Sequence, residues 1–158
     1  MSNTQAAIQP VHKTLQVACS PERAFEVFTR EIGTWWPLGS HSIGGEKIAE
    51  VVFEEHVGGR IFERHDDGGE GEWGRVLAWE PPARFAMTWY PGNDSSQATE
   101  LEVRFSPEGD GTRVDLEHRG WEILAERAQE SRSGYDSGWG DVLGYYTRHL
   151  TRVREDRA

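Results

Sequence analysis

Cysteine is nearly absent from this sequence: Cys19 is the single one, so no intrachain disulfide is available. Long apolar runs are also missing, and no stretch approaches the length of a transmembrane helix. Residues 1–10 are polar and lack the apolar segment of a signal peptide. These absences predict a cytoplasmic protein that does not insert into a membrane.

Positive charge is scarce as well. The 17 lysines and arginines are outnumbered by 27 aspartates and glutamates, which leaves a formal net charge of −10. Binding to nucleic-acid phosphates or to an anionic membrane surface requires clustered cations. We therefore expect no nucleic-acid partner and no attachment to an anionic membrane.

The local motifs of several chemistries are missing too. The six histidines form no His-x-x-x-His pair and have no cysteine partner at a metal-ligand spacing. The glycine-rich stretches contain neither a phosphate loop nor a dinucleotide fingerprint, and there is no Gly-x-Ser-x-Gly elbow. We accordingly predict no metal and no cofactor.

What is present is a series of turn signals around short β-prone runs. The 158 residues include 18 glycines and 7 prolines, typical of one β-rich domain. Between residues 57 and 89, three such runs are separated by Gly58-Gly59, a Gly/Asp-rich tip at 66–71 and Pro81-Pro82. This pattern predicts a meander of antiparallel strands.

Further strands and a helix are indicated on either side of the meander. Residues 11–18 alternate as a first strand, and Ser20-Pro21-Glu22 is a helix start with an N-cap, a proline and an acidic first turn. Residues 47–56 predict a second strand. Residues 99–106 and 112–118 predict an antiparallel pair whose alternation turns His118 inward.

The C-terminal part predicts one long amphipathic helix that starts at residues 134–136. Its apolar positions recur at helical spacing: Trp139, Val142, Leu143, Tyr146, Leu150 and Val153. The resulting order is a strand, one or two short helices, six strands and a long helix. We predict an α+β fold in which a seven-stranded curved antiparallel sheet wraps around the C-terminal helix. Residues 11–153 would form a single domain, with flexible tails at 1–10 and 154–158.

The same features resemble a known family. The Ser-Pro-Glu helix start, Val57-Gly58-Gly59, Trp79-Glu80-Pro81-Pro82 and Trp139 early in the last helix are similar to the START/Bet v 1-like (SRPBCC) superfamily. Within it, the chain resembles the group named after the C-terminal domain of the activator of Hsp90 ATPase, over residues 11–153. The resemblance implies a helix-grip fold whose members bind hydrophobic ligands, some of them as aromatases or cyclases.

A cavity between the sheet and the last helix is therefore the predicted site, and its partner would be a small hydrophobic or aromatic molecule. The predicted ligand-binding residues are Trp36, Phe53, Trp73, Met87, Trp89, His118, Trp139 and Leu143. The candidate acid/base residues are His118, Glu63 and His41. The sequence leaves open which face of the strand at 60–65 carries Glu63.

The sequence features and the family resemblance predict three alternative functions. The first is a non-catalytic binding protein for a hydrophobic ligand. The second is a cyclase or aromatase that uses His118 with Glu63 or His41 as acid and base. The third is a protein-interaction or co-chaperone-like module with Trp35 and Trp36 exposed, although two separate core contacts would equally explain this Trp-Trp pair.

Two further expectations concern protein partners. An exposed edge strand would allow a homodimer. We do not expect an Hsp90-type partner, because the sequence shows no counterpart of the large N-terminal domain that the eukaryotic relatives carry.

Overall fold

A computed structural model describes residues 8–36, 48–90 and 95–156. Its seven strands form one curled sheet in the order β1-β7-β6-β5-β4-β3-β2, and every neighbouring pair is antiparallel. The strands are β1 (Val11–Val17), β2 (Ile48–Phe53), β3 (Arg60–His65), β4 (Glu70–Glu80), β5 (Arg84–Trp89), β6 (Thr99–Glu108) and β7 (Gly111–Arg119).

In the part of the chain that the structure describes, two α-helices accompany the sheet. Helix α1 (Pro21–Phe28) follows β1, and the long helix α2 (Ala128–Asp156) ends the chain. Short 3₁₀ turns lie at Ile32–Thr34, Ser95–Gln97 and Trp121–Arg127. The predicted α+β helix-grip fold is thus confirmed, including the short helical elements after the first strand. Within the described ranges, no helix combines the length and the apolar character needed to cross a bilayer.

Helix α1 starts as its sequence predicts. The backbone N–H of Arg23 donates to the Ser20 side-chain oxygen at 3.2 Å, and Pro21 occupies the first turn. The helix buries Ala24, Phe25, Val27 and Phe28. These positions follow the three-to-four spacing of an amphipathic helix, so local capping and core packing favour the same element.

The start of α2 was predicted wrongly. It lies at Ala128 rather than at residues 134–136, and a 3₁₀ turn precedes it. Trp121, Leu124 and Ala128 are all buried, so this stretch packs into the core although its sequence is highly charged. Tertiary packing therefore outweighs the cost of a glycine inside the helix at residue 134.

The core lies between the concave face of the sheet and α2. Inward residues of β6 and β7 alternate with outward, mostly charged residues, as period-two strands require. From the helix, Trp139, Val142, Leu143, Tyr146 and Leu150 are buried against this face. The Tyr146 hydroxyl also donates to the Ala24 carbonyl at 2.8 Å, which ties α2 to α1.

Strand β4 approaches β5 unusually closely at Gly74. The register shifts between Ile61 and Phe62 where β3 pairs with β4, and a β-carbon at Gly74 would lie 1.7 Å from the Thr88 carbonyl oxygen. Because that oxygen belongs to the backbone, no side-chain rotation can relieve the clash. Only glycine allows this irregular part of the sheet to close.

We expect Gly74→Ala to lower the free energy of unfolding by more than about 2 kcal/mol, because the backbone of β4 or β5 must shift. The matched control is Gly140→Ala on α2, where an added β-carbon meets nothing within 4 Å. It should raise stability by about 0.5–1 kcal/mol. Chemical denaturation of both variants measures their free energies of unfolding. Equal changes in the two variants would show that β4 and β5 do not approach closely at Gly74.

Candidate functional site

Four tryptophans meet between the sheet and α2. Trp36 follows the 3₁₀ turn at Ile32–Thr34, whereas Trp73, Trp89 and Trp139 come from β4, β5 and α2. Trp36 lies 4.9 Å from Trp73 and 5.8 Å from Trp139, measured between ring centroids. Trp89 lies 5.7 Å from Trp73 and 5.2 Å from Trp139. We call these four residues the tryptophan cluster; none of them is more than 6% exposed.

Strand geometry explains how two of these rings reach the interior. Trp89 shares its strand parity with Phe85 and Met87, so all three point to the concave face and are buried. Trp73 lies at the register shift of β4, between the residues paired with Ile61 and Phe62. An irregularity of this kind re-aims a side chain, which is why bulges recur beside binding sites.

The other predicted ligand-binding residues lie in two separate parts of the core. Leu143 is buried one helical turn after Trp139, and Met87 is buried beside Gly74. Phe53 packs elsewhere: its ring lies 5.7 Å from Trp79 and 5.4 Å from Phe85. It therefore belongs to a second aromatic group, which α1 joins through Phe25.

The adjacent tryptophans Trp35 and Trp36 are both buried, in different surroundings. Trp35 contacts Phe28 and Tyr146, and its indole N–H donates to the Val27 carbonyl at 2.8 Å. Trp36 contacts the other members of the tryptophan cluster instead. The two-contact alternative is thus the one observed, and the exposed pair assumed for a protein-interaction module is not found.

His118 is fully buried, and both of its ring nitrogens have partners. The Trp139 indole N–H donates to Nδ1 at 2.9 Å. Nδ1 must therefore be unprotonated, so the ring proton lies on Nε2, which donates to the Thr99 hydroxyl oxygen at 2.6 Å. Burial lowers the pKa of His118 to about 3. The ring is neutral at ordinary pH and fixes the orientation of Trp139.

On the other side of the cluster, Glu63 accepts a hydrogen bond from Trp73, as His118 does from Trp139. It shares its inward parity with Ile61, and its carboxyl group has no exposed surface. The Trp73 indole N–H donates to one carboxyl oxygen at 2.7 Å, and His65 Nε2 lies 2.7 Å from the other. Phe62 faces the opposite side, where the Arg60 guanidinium lies 4.1 Å from its ring centroid.

The structure therefore brings His118 and Glu63 to one region, in separate hydrogen-bond networks on either side of the tryptophan cluster. The third candidate, His41, lies outside the described residues. His65 was not singled out from the sequence, although its period-two spacing from Glu63 on one strand could have revealed it.

Tyr135 was also missed. It lies on α2 with its ring 4.9 Å from His118 and 6.4 Å from Trp89. Its position was not recognised because α2 was predicted to begin at residues 134–136, which left this residue at the helix start. Burial raises the pKa of the Tyr135 hydroxyl, and the Trp89 indole N–H partly offsets that increase.

The buried histidine should make stability depend on pH. Unfolded chains bind a proton at His118 below about pH 6.5, whereas the folded protein does not until about pH 3. Stability contributed by the neutral ring is therefore lost as the pH falls through this window, by up to about 1.4 kcal/mol per pH unit.

We expect His118→Gln to flatten this dependence, while His12→Gln, at an exposed site on β1, should retain it. Urea unfolding between pH 7 and pH 4 checks both variants. If the free energy of unfolding fell equally with pH in wild type and His118→Gln, His118 would not control the acid sensitivity.

Comparisons with known proteins agree with this architecture. The family model described as "Activator of Hsp90 ATPase homolog 1-like protein" matches residues 18–147. No curated protein matches the chain significantly. Protein MLL2253 from Mesorhizobium loti is 20% identical, with a TM-score of 0.66, covering 91% of this chain and 98% of that one. The Aha1 dimer from Colwellia psychrerythraea is 16% identical, with a TM-score of 0.64 and coverages of 90% and 96%.

A third solved structure is considerably more similar in sequence. It is the anthrahydroquino-γ-pyrone synthase Txn09, solved in complex with a molecule designated SUM. The identity is 41%, the TM-score is 0.57, and the match covers 82% of this chain and 88% of Txn09. Taken with the family model, which spans most of the chain, these findings show that the protein belongs to the activator of Hsp90 ATPase homolog 1-like family.

Proposed function

We propose that this protein binds a small planar aromatic molecule between the sheet and α2, beside the tryptophan cluster. The observation that carries the proposal is that four separate elements each direct a tryptophan ring to this one place. Tilted and edge-on ring contacts of this kind stabilise aromatic groups beyond simple burial. A planar guest that lies against the cluster would gain ring–ligand contacts of the same type.

The buried polar groups make these aromatic walls rigid. Glu63 holds the Trp73 indole and His118 holds the Trp139 indole, so neither ring can turn without losing a buried hydrogen bond. A pre-organised wall lowers the entropy cost of binding. In this proposal, His118 is a positioning residue rather than an acid or base, because both of its nitrogens are engaged.

Similarity to Txn09 supports a class of ligand. That protein is named as a synthase of an anthrahydroquinone-fused γ-pyrone, and it is 41% identical to this chain. We therefore propose a polycyclic aromatic molecule with quinone- or ketone-type oxygens as the ligand. A mostly apolar wall with few polar groups suits such a molecule.

Binding of emodin, a hydroxyanthraquinone, should quench the tryptophan fluorescence in a saturable manner. Trp36→Leu should weaken the binding about tenfold, because it removes the ring that contacts the three other members of the cluster. The control is Trp79→Leu in the second aromatic group, which should leave the affinity nearly unchanged. Absence of saturable quenching in the wild-type protein would refute the proposal, as would equal losses in the two variants.

A second candidate function is ring closure of the bound molecule, and it is favoured by the Glu63–His65 pair. Glu63 is fully buried beside Trp73, whereas His65 is 19% exposed and reaches the surface. Together they connect the aromatic interior to solvent by a path along which a proton can move. This assignment replaces His118 by His65 as the partner of Glu63.

2′-Hydroxychalcone, which carries its hydroxyl group on the ring attached to the carbonyl carbon, is a suitable probe for this activity. Its ring closure forms one C–O bond and moves the phenol proton to the carbon next to the carbonyl, so no other reactant is needed. We expect the wild-type protein to accelerate the reaction and Glu63→Gln to lose at least about 100-fold of that acceleration. Glu50→Gln on the exposed side of β2 is the control, and chalcone absorbance is the measurement. Equal rates for Glu63→Gln and wild type would remove Glu63 from the reaction.

A further inference from the structure

We propose that Thr99 is a positioning residue of the aromatic site and acts on it through His118. The Thr99 hydroxyl selects the tautomer of His118, and that tautomer fixes the direction of the Trp139 ring. This inference rests on the proposed function and deepens it, because it names the group on which the position of one aromatic wall depends.

The first observation is a continuous chain of hydrogen bonds that begins and ends at members of the tryptophan cluster. The Trp139 indole N–H donates to His118 Nδ1, and His118 Nε2 donates to the Thr99 hydroxyl oxygen at 2.6 Å. The Thr99 hydroxyl donates in turn to the backbone carbonyl of Trp89 at 3.2 Å. None of these four residues is more than 5% exposed, so each polar group depends on its partner within the chain.

The second observation is that ring packing leaves the tautomer of His118 undecided. The rings of Trp121 and Tyr135 lie 4.2 Å and 4.9 Å from the imidazole, measured between ring centroids. These contacts fix the place of the imidazole. They do not fix its tautomer, because the two neutral forms have the same shape and differ only in which nitrogen carries the proton. The hydrogen-bond partners of the two nitrogens therefore decide the tautomer.

Thr99 selects the tautomer through the direction of its own proton. Because that proton is donated to the Trp89 carbonyl, the hydroxyl oxygen presents a lone pair to His118 and accepts from Nε2. Nδ1 is then free of a proton and accepts from Trp139. In the other neutral tautomer, Nδ1–H and the indole N–H would be two donors facing each other, and the Trp139 ring would have to turn away.

Removing the hydroxyl should therefore loosen the aromatic wall. Thr99→Val leaves Nε2–H without an acceptor, and the ring can avoid this cost only by moving the proton to Nδ1. We expect heteronuclear NMR of the imidazole nitrogens to show a changed tautomer population in Thr99→Val and emodin to bind about tenfold more weakly. Thr99→Ser retains the hydroxyl and should restore both the tautomer and the affinity.

Thr112→Val is the matched control. Thr112 is likewise a buried threonine of the sheet, and its hydroxyl donates to the Cys19 carbonyl at 2.7 Å. Its substitution removes a comparable buried hydrogen bond, and thermal unfolding measures the loss of stability in both valine variants. Because the partner of Thr112 is a backbone carbonyl rather than a histidine, the His118 tautomer and the emodin affinity should stay at their wild-type values.

The outcomes separate this inference from the proposed function. If emodin does not bind the wild-type protein, the proposed function fails. If emodin binds wild type and Thr99→Val equally, the aromatic site stands and the role of Thr99 is refuted. Equal losses of affinity in Thr99→Val and Thr112→Val would also refute it, since general destabilisation would then explain both.

The wild-type protein alone provides a further test that needs no ligand and no variant. Its NMR spectrum must show the imidazole proton of His118 on Nε2. A proton on Nδ1 would refute the inference even if Thr99→Val failed to fold.

Discussion

The arrangement of the interior depends on indole N–H groups that donate to buried acceptors. Trp73 donates to Glu63 on the neighbouring strand, and Trp139 on α2 donates to His118 on the sheet. A buried carboxyl or imidazole is costly unless it is paired, and a buried indole N–H is costly unless it finds an acceptor. Each pair meets both requirements, so polar groups can lie in an otherwise aromatic core.

The same rings also pack directly on one another. Trp89 makes ring contacts with Trp36, Trp73 and Trp139. The proposed ligand site and the rigid aromatic walls are thus parts of one arrangement. Membership of the family establishes the fold, whereas the specific activity depends on these residues.

The outward face of the sheet is stabilised by charged pairs instead of buried indole hydrogen bonds. Glu102 has only 8% of its side chain exposed, and it accepts hydrogen bonds from Arg84, Arg104 and Arg119. Burial alone would raise the pKa of this carboxyl group, but the arginines outweigh burial and hold it at about 2. The charged pairs across β5, β6 and β7 therefore stabilise the convex side, while the tryptophan cluster lies on the concave side.

The sequence by itself determined the element order, the curled antiparallel sheet and the inward direction of His118, because strand and helix periodicities are local properties of the chain. It did not determine the direction of Glu63, since a register shift between strands decides which side chains turn inward at that point. It also missed Tyr135 and the early start of α2, because burial of Trp121 and Leu124 extends the C-terminal helical region. Whether a histidine or glutamate holds an indole depends on contacts between residues far apart in the chain, and only the tertiary structure decides those contacts.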